Sequence, residues 1–244
     1  MSAPILELRD VEAGYGPFRA LFDVSLAVGA GEAVALVGAN GAGKTTLARV
    51  ACGLIAPSAG AVLVDGAEIG RGGPSAWRFV RAGVVHAPEG RSVLASLTVE
   101  ENLALSFHRA FGRSGLAGAL ERAYELFPRL GERRTQVAGT LSGGEQRMLS
   151  LGRVLVESPR LLIADELSLG LAPMVVDQVF ETLSQIRGAG TALLIVEQQV
   201  GHALELCDRA AILEHGLITW QGPSKEAGAV LESRLFETAT TKLK

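Results

Sequence analysis

No stretch of this chain contains the roughly 18 to 20 consecutive apolar residues that a membrane-spanning helix needs. Charged residues at Glu7, Arg9 and Asp10 interrupt the amino terminus before the apolar core of a signal peptide could form. The sequence therefore predicts a cytosolic chain.

Cysteine is also scarce, and the chain has no excess of positive charge. The two cysteines, Cys52 and Cys207, lie in apolar helical contexts without a CxxC pair or a Cys/His cluster. We interpret both as small core residues and expect neither a disulfide nor a metal role. Because the formal net charge is −3, the chain has no overall positive field, and its electrostatics do not indicate a nucleic-acid partner.

Apolar residues and glycine are abundant instead. A chain of 244 residues with 48% apolar content can form one α/β domain with a subdomain around a sizeable core. Short apolar runs at 33–37, 160–164 and 191–196 predict buried strands separated by helices. An antiparallel β subdomain is expected at the start, where alternating segments flank the turn at 14–17, and the strand at 61–66 should join it.

A glycine-rich loop follows the first buried strand and precedes a helix. It fits the pattern G-x-x-x-x-G-K-[ST], and its residues are Gly38, Ala39, Asn40, Gly41, Ala42, Gly43, Lys44, Thr45 and Thr46. The backbone N–H groups of such a loop can surround phosphate oxygens at a helix amino terminus. Lys44 would reach the β- and γ-phosphates, and the Thr45 hydroxyl would bind Mg²⁺. A chance glycine-rich turn is the alternative, and the strand and helix on either side disfavour it.

Two ring-bearing residues, Tyr15 and His86, have alternative interpretations. Tyr15 lies in a turn shortly before the loop, where its ring could stack on a nucleotide base or serve as an ordinary turn aromatic; the loop favours stacking. His86 ends an apolar run and is a tempting ligand, but a single histidine in that context is more often a core residue. We expect His86 to be one.

A second potential phosphate site lies far along the chain, at residues 141–146. Ser142 and Glu145 fit the S-x-x-E capping pattern, which by itself indicates ordinary helix initiation. Gly143 and Gly144, just inside the helix, disfavour helix formation but allow close backbone approach by an anion. The segment therefore predicts a second anion-binding helix terminus.

Acidic and amide side chains end the next two strands. Asp165 and Glu166 terminate the strand at 160–164, an arrangement known as Walker B, in which Asp165 would bind Mg²⁺ through its water shell and Glu166 would orient or deprotonate the attacking water. Two solvated acids are the alternative, which the preceding phosphate loop disfavours. Gln198 follows the strand at 191–196 and should face the same crevice.

A helical insert interrupts this α/β pattern. Thr98 to Glu101 has the form of a capping box, and helical periodicity continues to residue 107, breaks over Gly112 to Gly118 and resumes to residue 127. The charges that follow, up to Arg134, are most simply a solvated face, although such an insert could also receive a partner.

These motifs, in this order and spacing, resemble the ATP-binding subunit of ABC transporters over nearly the whole chain. The signature at 141–146 is highly specific. Five further segments resemble the second ATPase subunit of branched-chain amino acid importers, namely 88–91, 98–103, 124–130, 168–173 and 196–198. The resemblance implies an α/β P-loop NTPase cassette with a mainly parallel core sheet, over residues 1–244 as one domain, with a helical subdomain at about 92–157.

The resemblance also implies how the site residues act. Two cassettes would dimerise head to tail, so that Ser142, Gly143 and Gly144 of one close on the γ-phosphate held by the other. Glu89 occupies the position where most ABC ATPases carry the Q-loop glutamine and would join Thr45 and Asp165 at Mg²⁺. Gln198 stands where most carry the switch histidine. Leu167 departs from the usual proline, which should loosen the turn by about 0.4 to 1 kcal/mol.

The sequence therefore predicts an ATPase that requires ATP and Mg²⁺ and drives an importer of branched-chain or related hydrophobic amino acids. Its expected partners are transmembrane permeases, a second cassette and, indirectly, a substrate-binding protein, at the cytoplasmic face of the inner membrane. Urea, short amides or lipids are alternative cargoes. A soluble ABC ATPase acting on DNA or ribosomes is disfavoured by the lack of a tandem cassette or long coiled coil, and a non-hydrolysing cassette by the presence of Lys44, Asp165 and Glu166.

Overall fold

A computed structural model describes residues 3–70, 72–88, 90, 93–156 and 158–241. Its strands are β1 (Leu6–Tyr15), β2 (Phe18–Val28), β3 (Ala33–Val37), β4 (Ala59–Val64), β5 (Ala67–Glu68), β6 (Val84–Ala87), β7 (Leu161–Asp165), β8 (Ala192–Glu197), β9 (Arg209–Glu214) and β10 (Leu217–Pro223). Its α-helices are α1 (Lys44–Ala51), α2 (Ala76–Arg81), α3 (Val99–Leu126), α4 (Pro128–Glu132), α5 (Gly143–Leu155), α6 (Pro173–Gly188), α7 (Val200–Leu206) and α8 (Ser224–Thr241).

The first sheet is antiparallel and has the strand order β2-β1-β4-β5. β1 and β2 form a hairpin around the turn at 16–17, because Gly16 adopts a positive φ of 56° and Pro17 cannot extend the ladder. β4 pairs with β1 on its other side. The antiparallel β subdomain predicted from the sequence is confirmed, including its third strand.

The second sheet has six strands in the order β10-β9-β3-β8-β7-β6. β3 lies parallel to both β8 and β9, and β7 lies parallel to β8, whereas β9 and β10 form an antiparallel hairpin. All residues of β3, β7 and β8 are buried, as expected for parallel strands covered on both faces. The predicted mainly parallel core sheet is therefore confirmed.

Two compact units make up the chain. The first consists of Met1–His86, Arg160–Asp165 and Ala192–Lys244, and its apolar core is formed by β1, β3, β8 and α1 among other elements. Cys52 belongs to this core, and burial raises the pKa of its thiol to about 11, so that the side chain stays neutral. The second unit consists of Ala87–Pro159 and Glu166–Thr191.

Helices dominate the second unit. α3 begins at the predicted capping box, in which Glu101 N donates to Thr98 Oγ1 and Thr98 N donates to the Glu101 carboxylate. The predicted break over Gly112 to Gly118 is wrong in its extent, since Gly112 alone leaves helical geometry, at φ 67° and ψ −173°. Gly115 and Gly118 stay helical because each glycine costs a helix only about 1 kcal/mol, which flanking turns can offset.

None of the helices described here combines the length and the hydropathy required to cross a bilayer.

Candidate nucleotide site

The loop after β3 has the geometry of a phosphate cradle. Gly43 caps α1 with a φ of 106°, a conformation that side chains with a Cβ rarely adopt. At Gly38 a Cβ would lie 2.3 Å from the Leu213 carbonyl oxygen, so only glycine fits there. No acidic residue lies in the first turn of α1. The amino terminus of α1 therefore keeps its positive end available to an anion.

Side chains of the loop differ in exposure according to their predicted roles. Lys44 is buried, and its Nζ donates to the carbonyl oxygens of Gly38 at 3.0 Å and Ala39 at 3.2 Å. Thr46 is buried in the protein, whereas Thr45 is half-buried and Asn40 is exposed. Lys44 is thus held folded over the loop, where its ammonium group is placed to meet phosphate oxygens.

Parallel pairing brings three strand ends to one edge of the core sheet. Val37, the last residue before the loop, pairs with Glu197, and Asp165 pairs with Val196. Gln198 follows Glu197 directly and is exposed, whereas the Asp165 side chain is 1% exposed. The phosphate loop, Asp165 and Gln198 are therefore neighbours, as the sequence predicts from the strand-end rule.

His86 lies closer to this site than the sequence suggests. Its Nε2 is 3.7 Å from Asp165 Oδ2, the His86 side chain is 9% exposed, and Nε2 has no hydrogen-bond partner within the described part of the chain. The interpretation as an ordinary core residue is therefore incomplete. Sequence reasoning missed the contact because β6 and β7 are far apart in the chain and become neighbours only in the sheet.

Glu166 belongs to the second unit and has an unusual backbone. Its φ is 46°, in the left-handed region that non-glycine residues rarely occupy, and its side chain is largely buried. Leu167, which follows, is 1% exposed. Glu89, the third residue predicted at Mg²⁺, lies outside the described residues.

The predicted second phosphate site begins α5 in the second unit. Ser142 caps this helix, Glu145 N donates to Ser142 Oγ, and Ser142 N and Oγ donate to the Glu145 carboxylate, so the capping box is confirmed. Burial raises the pKa of Glu145, but the bonds from Ser142 and the charge of Arg133 outweigh it, and the pKa lies below its usual range. A Cβ on Gly144 would lie 3.1 Å from both Val175 methyl groups, so that glycine also permits packing against α6.

Tyr15 ends β1 beside the phosphate-loop helix. Its hydroxyl accepts a hydrogen bond from Arg49 Nη1 of α1 at 3.0 Å, and 46% of the residue is exposed. The ring is therefore anchored at one end and retains a free face.

Tyr15→Ala is expected to weaken ATP binding about 5- to 100-fold, because a stacked base contributes about 1 to 3 kcal/mol. Tyr15→Phe keeps the ring but loses the hydroxyl that contacts Arg49, and it should bind nearly as wild type. Phe18→Ala removes a 76%-exposed ring from the same hairpin and is the matched control. Titration calorimetry with Mg²⁺-ATP gives the affinities; equal losses for Tyr15→Ala and Phe18→Ala would contradict stacking at Tyr15.

Comparison with known proteins identifies the family. The model of the ABC transporter family matches residues 21–168, which include the phosphate loop, the signature segment and the acidic pair. This chain belongs to the ABC transporter family. It is an ATP-binding cassette and an ATPase, as the sequence predicts.

Relatives resemble the cassette over most of their length. The high-affinity branched-chain amino acid transport ATP-binding protein BraG of Pseudomonas aeruginosa is 45% identical over 214 residues, 88% of this chain and 91% of BraG. The probable branched-chain amino acid transport ATP-binding protein LivF of Archaeoglobus fulgidus is 33% identical over 228 residues, covering 93% and 94% of the two chains. The predicted resemblance to this group is confirmed.

Solved structures agree with the fold. An ATP-binding subunit of an ABC transporter superimposes with a TM-score of 0.81 at 29% identity and covers 98% of this chain and 100% of its own. The ADP conformation of another ABC transporter cassette gives a TM-score of 0.78 at 26% identity, over 92% and 94% of the two chains.

The residues of the cassette fit a magnesium nucleotide. Gly38 lies where a Cβ would collide with backbone, the Lys44 ammonium lies over the loop, and Asp165 places a buried carboxylate beside it. Hydroxyl and carboxylate oxygens are the ligands that Mg²⁺ prefers. Thr45 and Asp165 would hold Mg²⁺, which supplies charge neutralisation at the transferred phosphate.

Proposed function

We propose that this cassette hydrolyses ATP to drive an importer of branched-chain or related hydrophobic amino acids. The observation that carries the cargo class is the 45% identity to BraG across 88% of the chain. The second relative, LivF, supports the same class. Urea, short amides and lipids remain alternative cargoes, because membrane and binding subunits select cargo.

In the proposed mechanism, the phosphate loop holds the β- and γ-phosphates by its backbone N–H groups and Lys44. Asp165 and Thr45 would hold the metal. Glu166 would accept a proton from the water that attacks the γ-phosphorus, while the bond from that phosphorus to ADP breaks and ADP leaves. Gln198 cannot accept a proton near neutral pH, but its amide can hydrogen-bond water or phosphate. Glu89 is proposed at the metal on the strength of the family resemblance alone.

The proposed active unit is a head-to-tail pair of cassettes. Ser142 caps α5, and Gly143 and Gly144 begin it. The first N–H groups of a helix have no partner within the helix, as an anion held by a second cassette requires. Glu145 is proposed at the same nucleotide, although its carboxylate is engaged with Ser142 in the capping box. The second cassette would be a paralogue or a second copy of this chain.

The cassette would sit at the cytoplasmic face of the inner membrane, bound to permease subunits and through them to a substrate-binding protein. Native co-purification tests this arrangement. Recovery with permeases and a similar but distinct cassette, together with ATP-dependent leucine uptake by the reconstituted complex, would support it. Recovery with ribosomes or DNA alone would refute the membrane assignment, and uptake of urea but not leucine would correct the cargo.

Charge reversal on the helical insert is expected to uncouple hydrolysis from transport. Arg109 and Arg113 are exposed on α3, within the insert proposed to receive a permease helix. The double variant Arg109→Glu, Arg113→Glu should lower uptake about tenfold or more, since repulsion at an interface weakens docking, while ATP affinity changes less than about twofold. Arg78→Glu, exposed on α2 in the other unit, is the control. Crosslinks from the permease that map to the β subdomain alone would refute this docking surface.

A further inference from the structure

Arg147 lies on the first turns of α5, five residues after Ser142, and is 4% exposed. Within the part of the chain that the structure describes, its guanidinium group donates to four backbone carbonyl oxygens. Nη1 donates to Pro88 at 2.9 Å and to Gly90, Nη2 donates to Glu166 at 3.0 Å, and Nε donates to Leu167 at 3.4 Å.

These carbonyls belong to two loops that are far apart in sequence. Pro88 and Gly90 lie 59 and 57 residues before Arg147, and Glu166 and Leu167 lie 19 and 20 residues after it. Both loops and α5 belong to the second unit. The Arg147 side chain therefore connects Pro88 and Gly90, and the loop that carries Glu166, to the helix that begins with the signature segment.

The backbone at Glu166 needs such support. A non-glycine residue at φ 46° is strained and persists only where its surroundings hold it. Two donors converge on the Glu166 carbonyl, Arg147 Nη2 at 3.0 Å and Leu169 N at 3.4 Å. Leu167, unlike a proline, has no fixed φ, so the loop depends on these hydrogen bonds for its shape.

We propose that Arg147 is a positioning residue that sets the backbone of Glu166 and the backbone at Pro88 and Gly90 together, relative to α5. This inference rests on the proposed role of Glu166 as proton acceptor. A change at either loop or at α5 would reach the other two through one rigid planar group. Arg147 thus couples the proton acceptor to the signature helix within a single cassette.

The planar fork of arginine is what the site requires. Five N–H donors in fixed directions can serve both loops at once, whereas a lysine ammonium is a point charge with three donors and cannot span them. Arg147→Met should lose these hydrogen bonds, and Arg147→Lys should keep the charge but lose the simultaneous contacts. Arg153→Met removes another arginine of α5, one that donates to Ser106 at 2.9 Å, and is the matched control.

Hydrogen–deuterium exchange of the nucleotide-free full chain tests the structural part. Arg147→Met should speed exchange about 3- to 10-fold in peptides that cover residues 164–172 and in those that cover Pro88 and Gly90, because hydrogen bonds that restrain both loops are lost. Exchange in peptides of β3 and α1 should be unchanged in Arg147→Met. In the control Arg153→Met, exchange should change only in peptides next to residue 153. Acceleration spread evenly over all peptides would mean general destabilisation and would overturn the inference.

Kinetics of the complex purified with its partner subunits test the functional part. Arg147→Met and Arg147→Lys should each lower kcat about 10- to 100-fold with KM for ATP within about twofold, since a small displacement of a catalytic group costs rate and not nucleotide binding. In single-turnover reactions, the double variant Arg147→Lys, Glu166→Gln should hydrolyse ATP less than about twofold more slowly than Glu166→Gln alone, because both substitutions act on the same step.

The outcomes separate this inference from the proposed function. If Glu166→Gln abolishes turnover but Arg147→Lys leaves kcat unchanged, or if the two losses multiply, the positioning role is wrong while the function stands. If Glu166→Gln itself keeps normal turnover, the proposed role of Glu166 fails first. Should Arg147→Met not fold, Arg147→Lys carries the same exchange and kcat tests.

Discussion

Glu166→Gln is expected to lower steady-state ATP turnover by about 10²- to 10⁴-fold while ATP binding is preserved, the range that loss of a general base produces. Glutamine has nearly the shape of glutamate but cannot accept a proton near neutral pH. The residue is largely buried and its backbone is held in a left-handed conformation, so the substituted side chain should keep its place. Bound ATP should then trap the closed pair of cassettes.

Steady-state assays and size-exclusion runs with Mg²⁺-ATP, on the cassette with its partner subunits, provide the measurements for Glu166→Gln. Gln198→Ala is the contrast, because Gln198 directly follows the neighbouring strand β8 but contributes at most a positioning hydrogen bond. Losing one such bond of about 1.5 to 3 kcal/mol should slow hydrolysis about 10- to 100-fold. Near-normal turnover in Glu166→Gln with an inactive Gln198→Ala would show that the assignment of the base is wrong.

Lys44→Ala is expected to weaken Mg²⁺-ATP binding about 10- to 100-fold. Lys44 is buried over the phosphate loop, where its ammonium group can meet phosphate oxygens with little competition from water. A charge-assisted hydrogen bond contributes about 1.5 to 3 kcal/mol, which corresponds to this range of affinity.

Titration calorimetry with the full chain measures the Lys44→Ala effect. Lys225→Ala is the control, since it removes the same charge from an exposed position at the start of α8 and should leave affinity unchanged. Circular dichroism should show that both variants keep the wild-type fold. Equal ATP affinity in Lys44→Ala and wild type would count against the phosphate-loop assignment.

Local signals in the sequence were sufficient for the motifs. The phosphate loop is nine consecutive residues that follow β3 and continue into the first turn of α1, and the capping boxes at Thr98 and Ser142 span four residues each. Hydrogen bonds within such short segments depend on residue type and spacing, so the sequence predicts them directly. Alternation of apolar residues likewise predicted the antiparallel β subdomain, because side chains on a strand face opposite sides in turn.

Strand order was decided by the tertiary structure. The order β3-β8-β7-β6 brings Gln198 and Asp165 beside the phosphate loop, and it places His86 3.7 Å from Asp165. The strand-end rule predicts that such residues share an edge, but not which strands are neighbours. The contact of His86 therefore had no signal in the sequence.

The contacts of Arg147 are the clearest case of contacts that the sequence does not predict. Its acceptors are backbone carbonyls, which every residue possesses, so no residue type marks them in the sequence. The extent of α3 was likewise set by its surroundings, because the glycines at 115 and 118 carry a helix penalty that the fold offsets. The sequence by itself determined the family, the phosphate loop and the acidic pair, since these depend on residue identity at short spacing. The tertiary structure alone decided which distant backbone groups hold them in place, because those contacts depend on how the chain packs.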